Sequence, residues 1–259
     1  MKGWVIGIDV GSLTTDAVIM DEDKRVLSFS IVDTGYNSTD AAREAMTVAA
    51  GRAGLELEDV SRLVATGYGR AAVPEANKRV TEIACHAAGA VYLFPDTEMV
   101  IDIGGQDSKV IKVGKDGRVQ DFVMNDKCAA GTGRFLEVMS AKLKIPLDGM
   151  GDISISARGE AAISSVCTVF AESEVVSLVA RNCPKEEIVK GIHRSVVNRV
   201  WAMTRQLRVS GGVTMTGGVA KNRGVVALME ERVGRRINVP DEPQIVGALG
   251  AALFALREK

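Results

Sequence analysis

VIGIDVGSLTTDAVIMDEDKRV, residues 5–26, and TEMVIDIGGQDSKVIKVGKDGRV, residues 97–119, match without a gap. Asp9 falls on Asp102, Gly11 on Gly104, Asp23 on Asp116 and Arg25 on Arg118, all at one offset (102 − 9 = 93). Each copy reads as a β-branched strand ending in Asp, a Gly-rich turn, a second strand, an acidic or Gly-containing turn and a third strand, LSFSIV at 27–32 or VQDFVM at 119–124. A meander made twice, with no Pro- or Ser-rich linker between the copies, predicts two lobes of one α/β unit.

Helical patterns fill the spaces between. STDAAREAMTVAAGRAG starts at the cap candidate Ser38, carries Ala42, Ala45, Met46, Ala49 and Ala53 at helical spacing, and stops at Gly54. PEANKRVTEIACHAAGAVYLF predicts a helix following Pro74, with Cys85 facing the core. KEEIVKGIHRSVVNRVWAMTRQL, 185–207, places Ile188, Ile192, Val196, Val200, Met203 and Leu207 near one helical face, and PQIVGALGAALFALREK predicts a closing helix.

The chain has 259 residues, 46% hydrophobic and 25% charged, with a formal charge of -1, which bounds it as globular and excludes disorder. That balance supplies no basic excess for a phosphate backbone, so no nucleic-acid partner is expected. The N-terminal apolar run is interrupted by Asp9, and the longest later run, VGALGAALFAL at 246–256, is too short to span a bilayer, so a cytoplasmic protein without membrane association is expected. Two histidines argue against a His-built zinc site and a Ser-His-Asp triad. In a reducing compartment Cys85, Cys128, Cys167 and Cys183 are either buried filler or chemistry.

A strand that ends in Asp and runs into GSLTT or GGQDS exposes backbone N–H groups in a tight turn. Such a turn cradles phosphate, and the Asp is placed to hold hydrated Mg2+ or orient a water. Asp9, Gly11, Ser12, Leu13 and Thr14 form the first candidate set, and Asp102, Gly104, Gly105, Gln106 and Asp107 the second. VTMTGGVAKNRGV is again strand, Gly-Gly and helix, and Gly217, Gly218, Val219 and Asn222 are candidates for contact with adenine or ribose. A tight hairpin needs glycine in any case, so each motif alone also fits a purely structural turn. The chain has no G-x-x-x-x-G-K-[ST], and GTGRFL at 131–136 lacks the third glycine of a dinucleotide fingerprint.

In this order, GIDVGSLTT, IDIGGQDSK and MTGGVAKN resemble the phosphate-1, phosphate-2 and adenosine motifs of the superfamily of sugar and acetate kinases, heat-shock chaperone ATPases and actin. NDKCAAGTGRFLEVM and SSVCTVFAESEVVSL, with TGYGR (66–70), EIACHA (82–87), GIHRSV (191–196) and GALGAAL, are similar to one branch. That branch is the BadF/BcrA-type ATPases that activate 2-hydroxyacyl-CoA dehydratases, with the related subunits of benzoyl-CoA reductase. The resemblance implies two RNase-H-like lobes with a nucleotide cleft between them: residues 1–95 with helix 243–259 packing back, and 96–242 carrying the cluster cysteines. It also implies a homodimer with one 4Fe-4S cluster at the subunit interface, binding ATP/ADP and Mg2+. Electrons would arrive from ferredoxin or flavodoxin and pass to an Fe–S dehydratase, an aryl-CoA reductase or a double-cubane cluster protein.

The residues agree with the resemblance. No C-x-x-C run is present for a self-contained cluster. Cys128 precedes AAGTGRFLEVMSAKL and Cys167 precedes TVFAESEVVSLVA, where Thr168 is a cap candidate with Glu172, so each thiol is expected directly before a helix start that favours its thiolate. Two ligands per chain, doubled by a two-fold axis, make four. Cys85 and Cys183 are read as packing, and GTGRF as a close helix-packing element. Asp9 and Asp102 are the candidates for Mg2+ or water positioning, with Gln106 and Asp107 beside the terminal phosphate.

Relatives in this branch often carry Lys at the position of Asp16, and a small hydroxyl residue where Leu13 stands. Lys109, the matching residue of the second copy, is the alternative source of positive charge. Two other classes fit the same motifs: a small-molecule kinase, for which the chain has little room for an acceptor subdomain, and a nucleotide-switched scaffold or filament former.

Overall fold

A computed structural model describes residues 3–114, 116–126, 128–163, 167–207 and 210–257. Two compact units form, one from Met1–Thr97, Val113–Gln120 and Gln244–Lys259, the other from Glu98–Lys112 and Asp121–Pro243.

The first unit contains β1 (Trp4–Val10), β2 (Thr14–Met20), β3 (Val26–Asp33), α1 (Ser38–Arg52), β4 (Val60–Thr66), β5 (Lys78–Arg79), α2 (Glu82–Leu93) and a late helix described below. Its sheet order is β3-β2-β1-β4-β5, antiparallel through the β1–β2–β3 meander and parallel from β1 to β4 to β5. Both faces of β1 are covered, and alternation sorts its residues. Ile6, Ile8 and Val10 join Ala42, Ala45, Met46 and Ala49 of α1 in one core, while Val5 joins Val18, Val64, Cys85 and the late helix in another. The alanines of α1 let it lie close to the sheet, and each fully buried Ile contributes about 1.5–3 kcal/mol.

The second unit runs β6 (Thr97–Ile103), β7 (Ser108–Val113), β8 (Val119–Asn125), α3 (Gly133–Leu143), α4 (Met150–Ser156), α5 (Thr168–Ala180), α6 (Lys185–Leu207), β9 (Gly212–Thr216) and α7 (Arg223–Val233). Its sheet order is β8-β7-β6-β9, the order of the first sheet repeated. An isolated parallel bridge from Thr214 to Asn238 stands where β5 pairs with β4 in the first unit. Ile188, Ile192, Val196, Val200, Met203 and Leu207 of α6 are all buried, as its spacing predicts. The late helix, α8 (Val246–Arg257), belongs to the first unit, where Ala248, Leu249, Ala251 and Ala252 pack with Val5, Val18 and Val64.

Three expected helix starts are corrected. The stretch after Pro74 does not turn helical until Glu82, with Thr81 as cap, because Asn77 and Val80 bond to Leu63 and Ala65 and so satisfy the open edge of β4. Asn37, not Ser38, caps α1, accepting from Thr39 and Asp40. The helix expected directly after Cys128 begins only at Gly133. Gly131, at φ +92, breaks the approach, and Thr132 folds back on Ala129. No helix among the described residues is long and apolar enough to cross a membrane.

Candidate functional site

In each unit the strand-end aspartate sits at the start of a hairpin closed by its glycine. Gly11 N–H donates to the Thr14 carbonyl at 2.9 Å, and Gly104 N–H to the Asp107 carbonyl at 3.0 Å. Ser12 and Gln106 face solvent at the two tips; Leu13, Thr14, Gly105 and Asp107 are half-buried. In the first unit Thr34 fastens the turn from below, its N–H donating to Leu13 O at 2.8 Å and its hydroxyl to Gly11 O at 2.9 Å. Gln244 Nε2 donates to Thr14 Oγ1 at 2.9 Å.

Three of the four short segments quoted above for their resemblance meet at Asp9. Gly67 of TGYGR and Gly247 of GALGAAL stand so close to its two carboxylate oxygens that a Cβ on either would overlap them. His86 of EIACHA places Nε2 3.7 Å from Asp9 Oδ2, with both side chains buried. His86, Gly67 and Gly247 are functional candidates missed by motif reading, because only the packing of β4, α2 and α8 brings them to β1. Their one signal in sequence was a glycine or histidine in a segment with no other assigned role.

Asp102 is held by the equivalent scaffold. Thr216 Oγ1 donates to its Oδ1 at 2.9 Å, and Gly217, at φ +82, crosses so close that a Cβ there would lie 2.8 Å from that oxygen. Gly67, at φ +85, follows Thr66 in the same way. Left-handed backbone and direct contact with a carboxylate together leave only glycine at both places.

Charge distinguishes the two copies. Across the hairpins Asp9 is opposite Asp16, whereas Asp102 is opposite Lys109. Lys109 Nζ lies 3.2 Å from Asp102 Oδ2 and 2.8 Å from Asp107 Oδ2, and is 3% exposed. The lysine therefore neutralises carboxylates of its own turn, while the first hairpin sets two carboxylates across from each other, one of them, Asp9, beside His86.

The third motif forms a single 3-10 turn, Gly218–Lys221, with Val219 buried, and passes into α7 through Asn222. The Asn222 side chain is engaged at both ends, its Oδ1 accepting from Val225 N–H at 3.1 Å and its Nδ2 lying 3.2 Å from His193 Nε2.

Cys167 is exposed and occupies the cap position of α5. The expected Thr168–Glu172 cap is absent: Thr168 is the first helical residue, and Glu172 pairs with Lys142 at 2.6 Å. Cys128 is half-buried in the loop before α3, where Asn125 Nδ2 donates to the carbonyls of Cys128 and Ala130 at 2.9 and 3.2 Å. The first amides of α3 do not face that thiol; Gly133 and Arg134 N–H donate to Gly104 and Gly105 O, each at 2.8 Å, so GTGRF packs on the second Gly turn. Cys85 is fully buried, and burial pushes its thiol up to about 12. Among the described residues no three His, Cys, Asp or Glu converge as a metal site. Lys127 and Ser164–Val166, which belong to the cysteine motifs, lie outside the described residues.

Residues 6–255 match the BadF/BadG/BcrA/BcrD ATPase family. The chain belongs to that family. Among members of this ATPase family, it is 44% identical over 255 residues to the 2-hydroxyisocaproyl-CoA dehydratase activator of Clostridioides difficile, covering 98% of this chain and 96% of that one. It is 45% identical over 252 residues to the activator of lactoyl-CoA dehydratase of Anaerotignum propionicum, covering 97% of each. The solved structure of the Clostridium difficile activator with bound ADPNP superposes at a TM-score of 0.94, with 43% identity, over 98% of this chain and 94% of that one. A ROK family glucokinase from Streptomyces griseus shares the fold at a TM-score of 0.60 and 16% identity, over 99% of this chain and 100% of that one. The fold of this ATPase is thus the two-lobed sugar-kinase and actin type.

Proposed function

We propose that this ATPase is a one-electron donor that activates a 2-hydroxyacyl-CoA dehydratase, working as a homodimer around one 4Fe-4S cluster. The observation that carries the reading is the pair Cys128 and Cys167. One is exposed and the other half-buried, in a chain that is 44% identical, over 98% of its length, to a dehydratase activator. Their chemistry fits the group. Thiolates are the ligands such a cluster takes, and Cys167 at the start of α5 gains about 0.3–1 kcal/mol for a bound anion from the helix dipole. Two thiols per chain need a second chain to complete four ligands. When bound, the cluster supplies low-potential one-electron transfer; electrons come from a ferredoxin or flavodoxin and leave to the dehydratase.

The chain's own residues bind and orient nucleotide. The amides at the tips of the two Gly-rich turns, Ser12–Thr14 and Gly105–Asp107, take the phosphates of ATP, while Gly11 and Gly104 N–H close the hairpins, and the Gly217–Asn222 segment takes the nucleoside. Asp9, with Asp16 opposite and His86 beside it, suits hydrated Mg2+ better than Asp102, which Lys109 already neutralises. Asp102, with Gln106 and Asp107, orients water near the terminal phosphate.

Anaerobic EPR of the dithionite-reduced protein, with and without ADPNP, tests the whole reading. A cluster signal that responds to nucleotide is expected. Cys128→Ala and Cys167→Ala are each expected to give colourless protein. A colourless wild type after anaerobic reconstitution with iron and sulfide refutes the proposal.

A further inference from the structure

The corners Thr66–Gly67 and Thr216–Gly217 hold their aspartates differently. Thr66 is the register partner of Asp9 in the parallel pair of β1 and β4, so the two side chains rise on one face of the sheet. In the second unit the matching threonine is engaged. Thr216 Oγ1 donates to Asp102 Oδ1 at 2.9 Å, and Lys109 Nζ lies 3.2 Å from Oδ2. Asp102 is thereby fixed at both oxygens.

Thr66 is as buried as Thr216, each at 0% exposure, yet its hydroxyl makes no hydrogen bond among the described residues. Its polar neighbour is the thiol of Cys85 on α2, a weak partner that burial keeps neutral by pushing it up to about 12. A buried hydroxyl left unsatisfied costs stability, and native proteins carry few of them. Gly67 stands against Asp9 Oδ1 as Gly217 stands against Asp102 Oδ1, so the oxygen within the reach of this corner is the same in both units. Asp9 Oδ2 faces Gly247 and His86, whose Nε2 at 3.7 Å is beyond hydrogen-bond distance. A turn of threonine χ1 between staggered settings exchanges hydroxyl and methyl without changing the volume of the side chain.

We propose that Thr66 is a positioning residue for Asp9, its hydroxyl turning from Cys85 to donate to Asp9 Oδ1 when that carboxylate serves Mg·nucleotide, as Thr216 already does for Asp102. This rests on the assignment of Mg2+ to Asp9 made above. Asp102 is preset by its two donors, whereas Asp9 is set as it is used. A donor held in reserve weakens the fold slightly and strengthens that one step.

The test is calorimetric titration of the full-length protein with ADPNP, in Mg2+ and in EDTA, together with thermal unfolding of the nucleotide-free protein. In the wild type Mg2+ is expected to tighten ADPNP binding by about tenfold, and Asp9→Asn to lose that gain. Thr66→Val removes the hydroxyl and keeps the shape. It is expected to raise the thermal midpoint by about 2 °C and to cut the magnesium gain by about fivefold. Thr66→Ser, which keeps the donor, is expected to retain the gain. Thr216→Val breaks a bond already made and is expected to lower the midpoint, the opposite sign from Thr66→Val. If Thr66→Val keeps the full magnesium gain, or loses stability as Thr216→Val does, the role of Thr66 is wrong and the assignment of Mg2+ to Asp9 stands. If Mg2+ does not tighten ADPNP on the wild type, or Asp9→Asn keeps the gain, that assignment falls, and the role of Thr66 with it.

Discussion

Asp9 is gripped from three directions by residues far from it in sequence: His86 at 3.7 Å and the backbones of Gly67 and Gly247. Its place at a strand end before glycine was legible, because strand, acid and turn are local. The grip was not, since it depends on α2 and α8 arriving against the sheet. The cysteines divide by the same logic. With its thiol near 12, Cys85 is expected to stay unmodified by a disulfide reagent at pH 8 in the folded, cluster-free protein, while Cys128 and Cys167 react within minutes; unfolding in denaturant exposes Cys85. His193 adds a pH dependence. Its proton affinity is about 4 folded against an ordinary 6.5, so the unfolded chain takes the proton first. The contribution of the neutral ring is complete above pH 6.5 and declines as the pH falls from 6.5 to 4, by at most about 3 kcal/mol. Denaturant unfolding should therefore show the stability of the wild type relative to His193→Gln shrinking across that window.

At the level of elements, periodicity located α6 from end to end, because eleven of its residues are buried on a regular spacing. It failed at helix starts, where one unpaired strand edge or one left-handed glycine outweighs propensity: α2 begins after β5, and α3 after Gly131. The paired strand-to-loop corners Thr66–Gly67 and Thr216–Gly217 are the sharpest prediction at this scale. An alanine at Gly67 or Gly217 adds about 1–2 kcal/mol of left-handed backbone strain and also collides with the carboxylate of Asp9 or Asp102. Each is expected to lower the thermal midpoint by several degrees and to abolish ADPNP binding in calorimetry, whereas Gly54→Ala, also at positive φ but in open space, costs stability and spares binding. The start of α5 is equally pointed. Beyond Cys167 it shows Val169 and Phe170, both 67% exposed, and then Val176 and Val179 to solvent, an apolar face of the kind that marks an interface.

For the whole molecule, the 93-residue offset anticipated two sheets of one strand order, and β3-β2-β1-β4 against β8-β7-β6-β9 is that repetition in three dimensions. Repetition already set Lys109 in place of Asp16; what it did not reveal is that each stands across its hairpin from the strand-end aspartate of its own copy. Their meaning appears only once the hairpin register sets each across from its acid. If the proposed dimer is held by shared thiolate ligation, removing iron with a chelator and oxidant should halve the mass in size-exclusion chromatography with light scattering, and Cys167→Ala should be monomeric throughout; a dimer surviving both would place the interface elsewhere. The position of α8 has one more consequence. This helix covers the Val5, Val18 and Val64 face of a sheet whose first strand is translated long before it. On the ribosome, then, the first unit waits half-clad while the second is completed, and a nascent chain stalled before Val246 presents a bare apolar sheet to chaperones or to its neighbours.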